Sequence, residues 1–336
     1  MASVNFAKIT EFGSFGTGND QFDDPRGLDS DGTFLYICDN GNNRVMKRDL
    51  VGNKLIVKAG DLNISGAPIA SSTDIGFDSP EDLVIVNDFI YIADKNNDRV
   101  KIYDKDLKFR RSITDSDIAD PIGITSDNHF LYVASAAKVV KISLIDYSVV
   151  KTAAIAAGGV KGIFYYKRND FLYLTDRTNN KIIILNTSLE SKRTITSSDS
   201  VDSMLNGLEG ITIVDGYIHV VEQTRIQIFD TANHNSISTL TGLGDANGIL
   251  SIGQFIYITD NTGDKIRINL NYSAYRGLSP RSARLIDTQV WYENPIIPIG
   301  GKQFGNNYTI GGTQEFDKKR WIDEDNDSNN VRWSKE

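Results

Sequence analysis

Cysteine is nearly missing from this chain: Cys38 is alone among 336 residues, which excludes an internal disulfide and any metal site built from several thiolates. Histidine is scarce as well. His129, His219 and His234 fall in unrelated contexts, so a zinc site or a catalytic base built from converging histidines is not expected. No run approaches the ~18 consecutive apolar residues of a membrane helix, which excludes a spanning helix and any membrane partner through one. Basic charge is in deficit, with Lys+Arg 36 against Asp+Glu 44 and a net charge of −8. That is the wrong sign for neutralising a phosphate backbone, so direct nucleic-acid binding is not expected. The first thirty residues hold Glu11, Asp20, Asp23, Asp24 and Asp29 and no apolar core segment, so no signal peptide is expected. GxSxG, HExxH and a phosphate-cradling glycine loop opening a helix are all absent, and no cofactor is expected.

What is present is a repeat. Pro25-Arg-Gly-Leu, Phe34-Leu-Tyr-Ile-Cys-Asp39 and Asn43-Arg44-Val45 return 55 residues later as Pro80-Glu-Asp-Leu, Phe89-Ile-Tyr-Ile-Ala-Asp94 and Asp98-Arg99-Val100. Weaker copies run from Pro121, Lys161, Glu209 and Asn247. With Gly27, Asp82, Gly123, Gly162, Gly210 and Gly248 as equivalent positions, the mean period is about 44 residues, the length of one four-stranded propeller blade. Each unit offers a short Gly-led strand, a second strand apolar on both faces, a tight Asp/Asn/Gly turn and a third strand with period-two alternation. A more polar fourth strand follows, such as Lys54–Lys58 or Ser236–Leu240, charged as an exposed edge should be. The sixth unit lacks this fourth strand, and residues 4 to 12 carry the right character to supply it. The expectation is therefore an all-β, six-bladed β-propeller over residues 1–275, closed by its N-terminal strand, with an extended C-terminal arm over 276–336.

The stretch from Phe12 to Phe22, then Pro25-Arg-Gly-Leu, Tyr36-Ile-Cys-Asp39 and Asn42-Asn43-Arg44-Val45, resembles an NHL repeat, and the unit from Pro80 to Asp104 is similar. The resemblance extends over roughly residues 4 to 272 and implies a six-bladed propeller. NHL-like propellers are platforms for proteins and RNA, and more distant six-bladed relatives are lactonases and lyases, so the resemblance does not fix an activity.

The recurring pairs Asp39/Arg44, Asp94/Arg99, Asp176/Lys181 and Asp260/Lys265 are expected to be structural, an Asp serving its own turn and a basic residue pairing with it. The residue before each Gly position is more informative, because that strand lines the central channel. Round the ring these are Arg26, Glu81, Ile122, Lys161, Glu209 and Asn247. Two acids and an amide there resemble the metal constellation of gluconolactonase-like propellers. Their order argues instead for ion pairs, Arg26 beside Glu81 and Lys161 beside Glu209, since a paired carboxylate is a poor divalent-ion ligand.

The 61 residues from Arg276 onward hold nine basic and nine acidic residues, so the propeller carries the whole net charge of −8. They also hold every tryptophan: Trp291, Trp321 and Trp333. With Tyr292, Phe304, Tyr308 and Phe316 these read as anchors for protein subunits of a larger assembly, joined by strand addition and aromatic docking. Asp323, Asp325 and Asp327 have the opening spacing of a calcium loop but lack its glycine and its closing glutamate, where Ser328 and Ser334 stand. The leading expectation is a non-enzymatic docking subunit of a phage virion, in the tail or baseplate. The alternatives are an NHL-like adaptor, cytoplasmic or at a surface, binding a peptide or glycan at the propeller face, and a metal-dependent lactonase or lyase.

Overall fold

The computed structural model describes residues 8–50, 53–135, 137–155, 159–199 and 204–270, and in the C-terminal segment the backbone of 298–299, 302–303, 319–323 and 331–335. Contacts divide the chain into two units, Met1–Ala274 and Tyr275–Glu336.

The first unit is a six-bladed β-propeller, all of whose blades are four-stranded antiparallel sheets. Blades 1 to 6 open with the inner strands Pro25–Ser30, Pro80–Val86, Pro121–Ser126, Val160–Tyr166, Leu208–Val214 and Ala246–Ile252. These inner strands touch one another in that order, and the last touches the first. The second strands, such as Phe34–Asp39 and Phe255–Asp260, are buried from their second residue to their last. Their continuous apolar sequence follows from being covered on both faces, because every interface between neighbouring blades holds its own apolar cluster. Burying one Leu, Ile or Val side chain there contributes about 1.5–3 kcal/mol. Blade 6 takes its outer strand from the N-terminus: Lys8–Phe12 pairs antiparallel with Lys265–Leu270, Phe12 opposite Ile266 and Glu11 opposite Arg267. The expected closure is thus seen over the described part of residues 4 to 12.

Every inner strand carries a register irregularity in its first residues, for example between Pro25 and Leu28 and between Val160 and Ile163. A bulge bends a strand and re-aims a side chain. At five of the six equivalent positions the neighbouring inner strand comes too close for a Cβ, and glycine stands there, while blade 2 has Asp82. A Cβ on Gly248 would stand 2.3 Å from the Arg26 carbonyl oxygen, and one on Gly27 would stand 2.2 Å from Asp82 Oδ1. Gly248→Ala is therefore expected to destabilise the ring by about 2–4 kcal/mol, at the upper end for overpacking because the opposing atom is backbone. Urea denaturation would show it, and an unchanged midpoint would disprove the close approach.

In the second unit, Pro298–Ile299 pairs with Lys302–Gln303, and Lys319–Asp323 pairs with Val331–Lys335, placing the backbones of Trp321 and Trp333 opposite each other. The similar dipeptides Arg320-Trp321 and Arg332-Trp333 thus lie on paired strands. Trp291, Tyr292, Phe304, Tyr308, Phe316, Asp325 and Asp327 lie outside the described residues, and Asp323 ends the strand Lys319–Asp323.

Candidate functional site

The six residues preceding the ring positions, Arg26, Glu81, Ile122, Lys161, Glu209 and Asn247, line one cavity at the mouth of the central channel. Its volume is about 70 Å³, room for on the order of five waters. The strand-start bulges place these side chains by turning them toward the axis.

Their charges are largely spoken for. Arg26 donates through Nε and Nη2 to Asp24 at 3.0 and 2.6 Å and through Nη1 to Asn247 Oδ1 at 3.3 Å, with Glu81 4.0 Å away. Glu81 receives Lys95 at 3.2 Å. Glu209 is paired with Arg177, while Lys161 and Arg26 act on it through space. Burial still pushes the Glu209 carboxyl above its ordinary value, with Arg177, Lys161 and Arg26 opposing the rise. The Arg26–Glu81 pair expected from the sequence is present at 4.0 Å, with Lys95 closer to the same carboxylate, and beside Glu209 the direct contact is made by Arg177 while Lys161 acts through space. Lys95 and Arg177 both stand directly after a second strand, as Asn40, Gln223 and Asn261 do in three other blades. That position, one past the repeated acidic residue, is a sequence signal for a mouth residue that the repeat alignment contains.

Deeper in the wall, Asp82 occupies the position that is glycine in the other blades. Its Oδ2 accepts the Ile124 N–H of blade 3 at 3.0 Å and its Oδ1 accepts the Leu83 N–H at 2.9 Å. One blade earlier, Asp29 accepts the Ile85 N–H of blade 2 at 2.8 Å. Burial raises Asp82 to about 7 and Asp29 to about 6, with each acid's backbone hydrogen bonds opposing the rise and the charge of Asp29 adding to it at Asp82.

The repeated Asp and Arg are structural devices. Asp39 accepts the Asp23 N–H at 2.8 Å and Arg44 Nε at 2.6 Å, and Arg44 also donates to the carbonyls of Thr17, Gly18 and Gln21. Asp94 and Arg99 repeat the arrangement over Ser72, Thr73 and Gly76. Asp176 and Lys181 pair more loosely, at 3.6 Å. The fourth expected pair is corrected: Asp260 is held by Arg267 at 2.5 Å, while Lys265 turns to Glu11 at 3.5 Å. The residue before each basic one has a further use. Asn43, Asp98, Asn180 and Asp264 all take positive φ, a region that Asn and Asp tolerate. Each accepts a backbone N–H from the segment leading into a neighbouring inner strand: Ser79, Asp120, Gly207 and Asp24.

None of the three histidines lines the mouth. His219 is buried in blade 5, its Nδ1 3.1 Å from the Tyr217 carbonyl, and burial pulls it down to about 4. His129 and His234 sit in turns.

No family model and no curated protein matches the chain. Solved structures do. A Bacteroides thetaiotaomicron structural-genomics protein of unknown function matches with a TM-score of 0.61 and 13% identity over 79% of this chain and 75% of its own. A chain of a nidogen/laminin complex matches with a TM-score of 0.56 and 17% identity over 69% and 86%. Virginiamycin B lyase from Staphylococcus aureus matches with a TM-score of 0.54 and 16% identity over 73% and 94%. That lyase is also known in a catalytically inactive form, a histidine replaced by alanine, with quinupristin. Likenesses at this identity show the fold alone, which is the six-bladed propeller.

Proposed function

We propose that this chain is a non-enzymatic docking subunit of a larger protein assembly, of the kind a phage tail or baseplate contains, with the channel mouth as one contact surface and residues 276–336 as the attachment. The observation that carries this reading is that the carboxylates of the mouth already hold cations: Glu81 holds Lys95, Glu209 holds Arg177 and Asp24 holds Arg26. A carboxylate so engaged is a poor ligand for a divalent ion and a poor general base, whereas a rim of fixed ion pairs is suited to orienting a partner. The nidogen/laminin match is itself from a complex of proteins. The aromatic residues of 276–336, with all three tryptophans, supply the residue types in which binding energy concentrates.

Purified from its native source, the full chain is expected to accompany other subunits in fixed ratio. Deleting residues 276–336 is expected to leave a folded monomeric propeller, because the ring closes through Lys8–Phe12 without them. Assembly unchanged by the deletion would sink the reading. The lyase-like alternative predicts instead a stoichiometric metal ion and an activity lost in Glu209→Gln.

A further inference from the structure

The geometry points to the blade 4 side of the channel mouth as a receptor for an acidic side chain presented by the docked partner, its carboxylate held by Lys161. This rests on the docking reading and specifies what the mouth recognises. Among the described residues the Lys161 ammonium makes no hydrogen bond and no ion pair, although it stands in the cavity wall. An ammonium carries three donors, so Lys161 has them to offer. The remaining cations of the mouth are engaged: Arg26 by Asp24 and Asn247, Lys95 by Glu81, Arg177 by Glu209.

The rim is polarised. Asp24 precedes the inner strand of blade 1, and Asp245, which acts on Glu209 through space, precedes that of blade 6. On blade 4, Lys161 and Arg177 face the single carboxylate of Glu209. Asp24 is offset by Arg26, whereas on the blade 4 side two cations face one carboxylate, so an incoming anion is drawn there. Ile122, 9% exposed on the neighbouring blade, gives the cavity an apolar wall against which a methylene stem can lie. A cavity of about 70 Å³ takes the end of one side chain. A carboxylate on a short aliphatic stem, as in glutamate, meets all these conditions, and displacing water beside Ile122 strengthens its pairing with Lys161.

The test uses the full chain, titrated by calorimetry with acetyl-Gly-Glu-Gly-amide, with the Gln counterpart of that peptide, and with sodium glutarate, at constant ionic strength. The Glu peptide is expected to bind saturably at millimolar concentrations, the Gln peptide at least ten-fold more weakly. Lys161→Gln is expected to erase that difference and Lys161→Arg to keep it. Lys167→Gln, an exposed site outside the mouth, is expected to behave as the parent chain. Equal binding of the two peptides, unchanged binding in Lys161→Gln, or binding of glutarate without the Glu peptide would each overturn the inference. Subunits that still co-purify while the Glu peptide fails to bind would remove this inference and leave the docking reading standing. Peptide binding by a chain that accompanies no subunit would do the reverse.

Discussion

Arg44→Met is expected to cost about 3–5 kcal/mol of stability, the usual loss when one partner of a buried ion pair is removed. Arg44 is 2% exposed and Asp39 is fully buried, so the deletion strands a carboxylate that water cannot reach. The carbonyls of Thr17, Gly18 and Gln21 lose their donor at the same time, which frees the loop leading from the closing strand into blade 1. The Asp23 N–H and Asn42 remain on Asp39 and keep the loss from being larger. For a domain of this size such a loss lowers the melting temperature by roughly 10 °C. Lys181→Met provides the contrast. Its ammonium is 24% exposed and lies 3.6 Å from the buried Asp176, whose carboxylate keeps the backbone and side-chain N–H groups of Asn179, so a smaller loss of about 1–2 kcal/mol is expected. Calorimetry of both variants separates the cases, and equal shifts would show that the Arg44 cradle does not stabilise the loop as its geometry requires.

Much of this architecture is legible in the sequence because its causes are local. The 55-residue offset between the first two units, the doubly apolar second strands and the surplus strand at the N-terminus each follow from burial or strand pairing, and the structure places them accordingly. The residues before the ring positions could be chosen for the same reason, since a repeated strand start has a repeated direction. Choices between long side chains were not legible. Lys265 and Arg267 lie two apart on one face of a strand, and both can reach Asp260. Glu11, contributed by the N-terminal strand, draws Lys265 away and leaves Asp260 to Arg267. Lys95 and Arg177 escape a strand-by-strand reading likewise, because they reach the mouth carboxylates from the turn that follows a second strand.

Asp82 is expected to make the propeller less stable as the pH rises from about 4 to 7. In an unfolded chain an aspartate releases its proton near pH 3.9, whereas in the ring wall Asp82 holds it to about 7. Between those values the folded state binds more protons than the unfolded one, so stability is full below the unfolded value and falls as the pH climbs through the folded one. Three pH units correspond to about 4 kcal/mol. The channel brings water to this side chain, which is among those lining the mouth, and screening reduces the expected loss to about 2–3 kcal/mol. Asp29, held to about 6, acts in the same sense and over a narrower window. Asp39, also held to about 6, adds to the fall, whereas buried His219, pulled down to about 4, acts oppositely within the same window, so the Asp82 contribution is read from the difference between the parent and a chain that lacks its carboxyl. Asp82→Asn keeps an acceptor for one of the two N–H groups and removes the titration. It should be less stable than the parent near pH 4.5, by about 1 kcal/mol for the lost hydrogen bond, and should equal or exceed it by pH 8. Urea midpoints measured across that range for both chains decide the matter. Two parallel curves would mean that Asp82 does not retain its proton, and that its hydrogen bonds to Leu83 and Ile124 outweigh its burial.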